Sequence, residues 1–317
     1  MGKYLKLFET HSEYQTYISG DNVLKPNVSY CEDENEVHYN PYIDYSSEYL
    51  TFVALEDGTF TLSTNAVSYS LDNGETWTEL AADTASPTVT SGSKIVWKGT
   101  LTPTNSGIGR FSATGNFDVQ GNIMSLLFGD NFKSHTDLTG KYDAFYRLFY
   151  QNRKVINANN LSLPATTLAS NCYTSMFDGC TNLTTAPVLP ATTLAGRCYN
   201  NMFSGCTRLT IAPKLPATTL TSDCYNNMFY NCTSLTTAPE LPATTLAYYC
   251  YSYMFYGCTS LNYIKAMFTT APSDSYTRNW VSGVSSTGTF VKNSAAQWDV
   301  TGVNGVPSGW TVETATA

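Results

Sequence analysis

The side chains that could do chemistry here are nine cysteines, three histidines and a set of clustered tyrosines. Eight cysteines recur with one spacing: Cys172 and Cys180, Cys198 and Cys206, Cys224 and Cys232, Cys250 and Cys258. Cys-x7-Cys is not a zinc spacing, and no histidine lies among these residues, so no metal site is expected. If equivalent cysteines stack in successive coils, they sit about 4.8 Å apart with parallel side chains. A disulfide needs Cβ atoms about 3.8 Å apart on converging vectors. The eight therefore read as free thiols packed as small hydrophobes, and Cys31 as an ordinary thiol. His11, His38 and His135 lie in unrelated segments, and none has an evident nucleophile beside it. No glycine-rich phosphate loop follows a strand and no His/Glu cluster appears. Two carboxylates could still converge to hydrolyse a glycoside, but most acids lie in evident turns. The expectation is no catalytic residue, no cofactor and no metal.

What positions the cysteines is a repeat. Residues 163–188, 189–214, 215–240 and 241–266 are four copies of a 26-residue unit, L-P-A-T-T-L-A-x-x-C-Y-x-x-M-F-x-G-C-T-x-L-T-x-A-P-x. A fixed period of this size predicts a solenoid, in which each unit buries its apolar face by stacking on its neighbours. The expected ladders are Leu168/194/220/246, Tyr173/199/225/251, Met176/202/228/254, Phe177/203/229/255 and Leu183/209/235/261, with the two cysteine ladders. Cys172, Met176 and Cys180 fall at i, i+4 and i+8, which predicts a short helix over about 171–178 in each copy. Gly179, Gly205, Asn231 and Gly257 then read as its left-handed C-terminal caps. Prolines at 164/190/216/242 and 187/213/239 should end extended segments, leaving a parallel strand through 183–185 and its equivalents.

The columns that vary between copies should face solvent: Asn171/Arg197/Asp223/Tyr249, Asp178/Ser204/Tyr230/Tyr256, Asn182/Arg208/Ser234/Ser260 and Val188/Lys214/Glu240/Ala266. Tyrosines gather toward the last copies. Tyr230, Tyr248, Tyr249, Tyr253 and Tyr256, with Arg197 and Arg208, are the candidate ligand contacts, because exposed tyrosines stack on sugar rings or anchor a protein partner.

The rest of the chain divides around this block. Residues 1–43 read as an attachment or oligomerisation segment: a strand near Leu5, a short helix from Ser12, then two short strands around the acidic tip Glu32-Asp-Glu-Asn-Glu. So short a unit should lean on a partner chain, an oligomer axis or the next domain. Residues 44–128 hold short β-branched and aromatic segments separated by turns such as Asp57-Gly58 and Asn73-Gly74, which suits a small β-sandwich-like domain. Within it, Ser70-Leu-Asp-Asn-Gly-Glu-Thr-Trp77 matches the Asp-box pattern S-x-D-x-G-x-x-W. A single copy predicts a hairpin: Asp72 ties the turn amides, Gly74 takes positive φ and Trp77 packs behind. Residues 129–272 read as the solenoid with an N-terminal cap, in which Ala144-Phe-Tyr-Arg-Leu-Phe-Tyr is a degenerate coil. Residues 273–317 read as a C-terminal cap and tail. The fold class is mixed and β-rich: a small sandwich-like domain, then a short leucine-rich-repeat solenoid.

Composition adds limits. Net charge is −8, charged residues are 13% of the chain, and the sequence shows no Lys/Arg cluster anywhere, which argues against nucleic-acid binding. No apolar run approaches the ~18 residues of a membrane span. The start, Met1-Gly-Lys-Tyr-Leu-Lys-Leu-Phe-Glu, has no apolar signal core. For a full natural chain, that predicts no export by the usual secretory route.

The run M-F-x-G-C-T-x-L followed by an extended segment ending in L-P resembles the BspA-type leucine-rich repeats, usually A-F-x-x-C-x-x-L-x-x-I-x-L-P. The resemblance covers about 130 residues and implies a surface-exposed solenoid used for adhesion. Departures are Met before Phe, an extra cysteine eight residues upstream, and A-P at the usual isoleucine position. The opening Tyr4-Leu-Lys-Leu-Phe-Glu-Thr-His and the later Pro26-Asn-Val-Ser-Tyr-Cys-Glu-Asp-Glu-Asn-Glu-Val-His-Tyr-Asn-Pro are similar to leader segments on virion proteins of tailed phages of gut Bacteroidota, the crAss-like group included. Together these imply a non-catalytic virion fibre or decoration protein on the virion surface. It would bind other virion proteins through residues 1–43, with homo-oligomers a further expectation, and meet a host glycan or protein through the repeats. The alternative is a bacterial cell-surface adhesin of the same repeat family.

Overall fold

Short segments of alternating apolar and polar residues build the first half of the structure. The computed structural model describes Lys6–Leu7, Ser29–Asp33 and Glu36–Tyr39, and then residues 45–315 without a break. It divides into two compact units, Met1–Tyr45 and Ser46–Ala317. In the first, strand β1 (Lys6–Leu7) runs parallel to β2 (Ser29–Asp33), and β2 pairs antiparallel with β3 (Glu36–Tyr39). The helix expected from Ser12 lies outside the described residues.

The second unit is β-rich with little helix. Strands β4 (Leu50–Ala54), β5 (Phe60–Leu62), β6 (Val67–Ser70), β7 (Thr78–Leu80), β8 (Lys94–Lys98) and β9 (Phe111–Ala113) are short β-branched and aromatic segments of the kind expected over residues 44–128. β10 (Phe117–Asn122) follows, and then the one α-helix among the described residues, α1 (Ser125–Phe128). β4 inserts Leu50, Phe52 and Ala54 into the core, the period-two pattern of a half-buried strand. Phe52 touches Phe60, Trp97, Phe111 and Phe117 with ring centroids 4.8 to 5.6 Å apart. These rings join the six-stranded sheet, ordered β11 (Asn160–Ser162)-β10-β4-β8-β6-β7, to the two-stranded ribbon β5-β9.

β11 (Asn160–Ser162) comes from the lead-in to the repeats and pairs parallel with β10. Phe117 donates to Lys154 and Phe111 to Leu148 through backbone amides. The sheet therefore continues into the repeats with no break in hydrogen bonding at residue 128.

Each repeat then contributes a run of tight turns where a helix was expected. In the first copy the amides of Cys172, Thr174, Met176, Asp178 and Cys180 donate to carbonyls three residues back. The alternate amides of Asn171, Tyr173, Ser175, Phe177 and Gly179 donate to Gly196, Cys198, Asn200, Met202 and Ser204 of the next copy. No α-helical i→i−4 ladder forms, because every second amide leaves its own coil. The chain turns by entering the left-handed region at every fourth residue: Asn171 (φ 57°), Ser175 (53°) and Gly179 (75°), repeated at Arg197, Asn201 and Gly205, at Asp223, Asn227 and Asn231, and at Tyr249, Tyr253 and Gly257. Gly179 and its equivalents thus are left-handed, but as the third of a series.

The same backbone occurs once before and once after the four copies. Asp143, Arg147 and Gln151 have φ near 55°, and Asn279 and Gly283 repeat it after residue 273. Six turn runs therefore stack, each bonded to the next. β9 covers the first: Phe111 donates to Leu148 and accepts from the Asn152 side chain at 3.0 Å. At the far end, the Asn304 side chain accepts the Asn279 amide and the Val303 carbonyl accepts the Val281 amide.

The apolar ladders fill the inside. Cys, Tyr, Met, Phe and Leu at the repeated positions are buried throughout, except that Leu220 is half-buried. Tyr173, Tyr199, Tyr225 and Tyr251 lie near-parallel with centroids 5.7 to 6.0 Å apart, extended at one end by Phe145. Phe149, Phe177, Phe203, Phe229 and Phe255 form a second column at 5.2 to 5.8 Å.

The expected strand through 183–185 is present as single parallel bridges, Asn157↔Thr185↔Ile211↔Thr237↔Tyr263. Prolines 187, 213 and 239, two residues later, have no amide to continue them. After the fourth bridge Lys265 stands in the proline's place, and a full strand forms, β12 (Tyr263–Ala266). It pairs parallel with β13 (Thr289–Lys292), which pairs parallel with β14 (Thr311–Thr314). Ala266, expected to face solvent, is fully buried because β13 covers it. Phe268, Trp280, Phe290 and Trp298 close over Tyr251 and Phe255.

Candidate functional site

Cysteine chemistry is settled by burial. All eight ladder thiols are free and buried. Cys180, Cys206, Cys232 and Cys258 each donate S–H to the carbonyl of the phenylalanine one coil back, at 3.0 to 3.2 Å. That bond explains why the position holds cysteine and not alanine. Burial pushes all eight thiols up, Cys224 and Cys258 to about 12, so the thiolate needed for nucleophilic attack does not form near neutral pH.

His135 stacks flat on Phe128 at 3.6 Å. His38 lies on β3 and His11 outside the described residues. Among the described residues, no three His, Cys, Asp or Glu side chains converge to hold a metal ion. In the Asp-box hairpin, β6 pairs with β7, and Asp72 accepts the Thr76 amide at 2.9 Å and the Ser70 hydroxyl at 2.6 Å. The hydroxyl bonds from Ser70 and Thr76 hold its carboxyl well below the usual range. Gly74 has φ 95°, and the Trp77 indole donates to its carbonyl.

The turn runs present an outer face between the buried columns. In the second and third copies it carries the half-buried Asn200, Asn201, Asn226 and Asn227, with Asn201 donating to Asn200 and Asn227 to Asn226, whereas Thr174 and Ser175 at these places in the first copy are buried. Toward the C-terminal end Tyr253 takes the place of Asn201 and Asn227, and Tyr230 and Tyr256 take the place of Asp178 and Ser204. Tyr230 and Tyr256 are stacked, with centroids 4.9 Å apart and planes 2° from parallel. Tyr253 meets Tyr256 at 6.1 Å. All three are half-buried, with a left-handed backbone at Tyr253.

Tyr248 and Tyr249 form a second pair at 4.0 Å. Tyr248 is exposed, and the Tyr249 hydroxyl beside it pushes its phenol up, with burial and Asp223 adding and Arg278 opposing. Arg278 was not singled out from the sequence, because it belongs to the coil that diverged from the repeat. No ring contact among the described residues joins this pair to Tyr230, Tyr253 and Tyr256. Arg197 is exposed and lies 3.8 Å from Asp223, on a shallow groove that also includes Asn171 and Ser222. Arg208 is exposed in its own column, beyond the Gly205 turn. The seven residues thus form a tyrosine trio, a tyrosine pair, an arginine paired with Asp223, and a separate Arg208.

With that geometry in view, the chain matches no protein-family model, no curated protein and no solved structure.

Proposed function

We propose that this chain is a non-catalytic surface protein whose stacked turn runs are a short leucine-rich-repeat solenoid of BspA-like type. In this reading the β-rich half is a sandwich-like spacer. The protein is a fibre or decoration component of a virion, attached through residues 1–43, and its solenoid adheres to a host surface glycan or protein. The observation that carries the reading is the outer face: stacking fixes the inner columns, yet the outer ones change from Asp178 and Ser204 to the parallel pair Tyr230/Tyr256, and from Asn201 and Asn227 to Tyr253 beside it. Tyrosine among serine and asparagine supplies a large, amphipathic contact surface with little side-chain entropy to lose. A buried column of rings behind it, and a backbone bonded coil to coil, hold that surface in place before a ligand arrives.

The test uses the full chain on an array of host-surface glycans and on intact host cells. Tyr253→Ala and Tyr256→Ala should each weaken retention about tenfold, the loss of roughly 1.4 kcal/mol at an aromatic anchor. Negligible binding by the wild-type chain to both would reduce the repeats to a spacer. Recovery of the chain in purified particles separates the virion reading from that of a bacterial surface adhesin.

A further inference from the structure

A second surface lies at the other end of the stack, where the β-rich half meets the first turn run. The turn after β5, the loop before β9 and the run over 146–150 line an open cleft of about 380 Å³. A second hollow of about 210 Å³ adjoins it, and the two share Arg110 and Tyr150. Four cations line them: Arg110, Arg147, Arg153 and Lys154. No carboxylate lines either hollow, in a chain of net charge −8. None of the four cations is within ion-pair distance of a described carboxylate. The acid whose ionisation feels Arg147 is Asp178, which its own burial pushes up.

Arg147 is the most constrained of them. Its guanidinium lies 5.0 Å from the Tyr146 ring centroid and 4.7 Å from that of Tyr150. It does so from a left-handed backbone, φ 57°, where the equivalent places in the four copies hold Ser175, Asn201, Asn227 and Tyr253. Asparagine tolerates that conformation better than arginine does. The walls are fixed: Arg110 exchanges hydrogen bonds with Ser63, and Phe111 is bonded to Leu148 and Asn152.

We infer that this cleft binds an acidic saccharide, with sulfate or carboxylate groups on Arg110 and Arg147 and a sugar ring against the Tyr146–Tyr150 wall. Its volume is that of a small-ligand site. Guanidinium groups match the paired oxygens of both anions. Hydroxyl and amide side chains from Ser63 to Asn105 complete the lining and suit sugar hydroxyls. The negative charge of the whole chain repels a long, densely charged polymer, which favours an oligosaccharide over a nucleic acid. This site is independent of the tyrosine face and stands whether or not that face binds anything.

Calorimetric titration of the full chain tests it with four probes: a chondroitin sulfate hexasaccharide, a hexagalacturonate, neutral maltohexaose and hexathymidylate. At least one of the two acidic saccharides should bind at about 50 mM salt and weaken toward about 200 mM. Which of them binds identifies the anion. Arg110→Gln should cost about tenfold. Arg153→Gln, on a solvated side chain that leaves the aromatic contacts of Arg147 intact, should weaken binding in the same direction with an unchanged circular dichroism spectrum. Tyr256→Ala should leave this binding as it was. Absence of binding to both acidic saccharides overturns the inference. So does equal affinity for hexathymidylate, or affinity that neither arginine variant alters.

Discussion

The cysteine ladders do at the residue scale what alanine could not. Each thiol of the second ladder gives a hydrogen bond to the preceding coil while filling an apolar slot. The linkage to pH follows from their burial. In the unfolded chain these thiols lose protons above about pH 8.5. In the folded chain they hold them until about pH 12 at Cys224 and Cys258, and higher still at others. The unfolded state therefore binds fewer protons between those limits, and stability falls as pH rises through them, by at most about 1.4 kcal/mol per thiol per pH unit. Eight thiols acting together should bring a stability of roughly 5–15 kcal/mol to nothing within a few pH units. Thermal melts at pH 7.5, 8.5 and 9.5 should show a steep drop in Tm, and Cys206→Ala/Cys232→Ala should flatten it. A Tm independent of pH would contradict the buried ladders. The burial of these residues was legible from their period alone. The left-handed backbone at Ser175 and Tyr253 was not, because neither residue type marks that conformation, whereas Gly179 and Asn231 do.

At the scale of the element, the helix expected over 171–178 and the turn run that replaces it share one spacing. Cys172, Met176 and Cys180 fall on one side of either, so periodicity could not separate them. The distinction lies in the amides, half of which bond to the next copy, and no single copy reveals that. The strand column shows the opposite case, in which one residue decides. Prolines 187, 213 and 239 stop pairing after a single bridge, while Lys265 in the same place lets β12 run to Ala266 and join β13. Lys265→Pro should therefore shorten β12, remove the 3.0 Å ion pair with Glu240 and loosen the C-terminal sheet. We expect a loss of about 3 kcal/mol in denaturant unfolding, with faster hydrogen exchange at 289–292. Lys265→Ala, which removes the charge alone, should cost well under 1 kcal/mol.

For the molecule as a whole, the β-rich half and the stack share one core. Phe52 and Phe111 both touch Phe149 of the first turn run, at 5.9 and 6.0 Å, and β10 takes β11 as its neighbour. A fragment of residues 46–128 lacks β11 and the partners of Phe111 and Phe117. It should fail to give a cooperative melt, whereas residues 46–317 melt in one transition; an independently folded 46–128 would show the halves to be separable. The strands of this half were legible from β-branched and aromatic segments. The basic cleft was not, since Arg110 and Arg147 are brought together only by the way β9 caps the stack. The alternation of amides carries one more consequence. Because each interior coil accepts from the coil before and donates to the coil after, in identical positions, a duplicated or deleted 26-residue unit leaves no amide orphaned. Reach is thus a variable that the stack can change in steps of one unit, while the caps at each end and the surfaces they carry stay as they are.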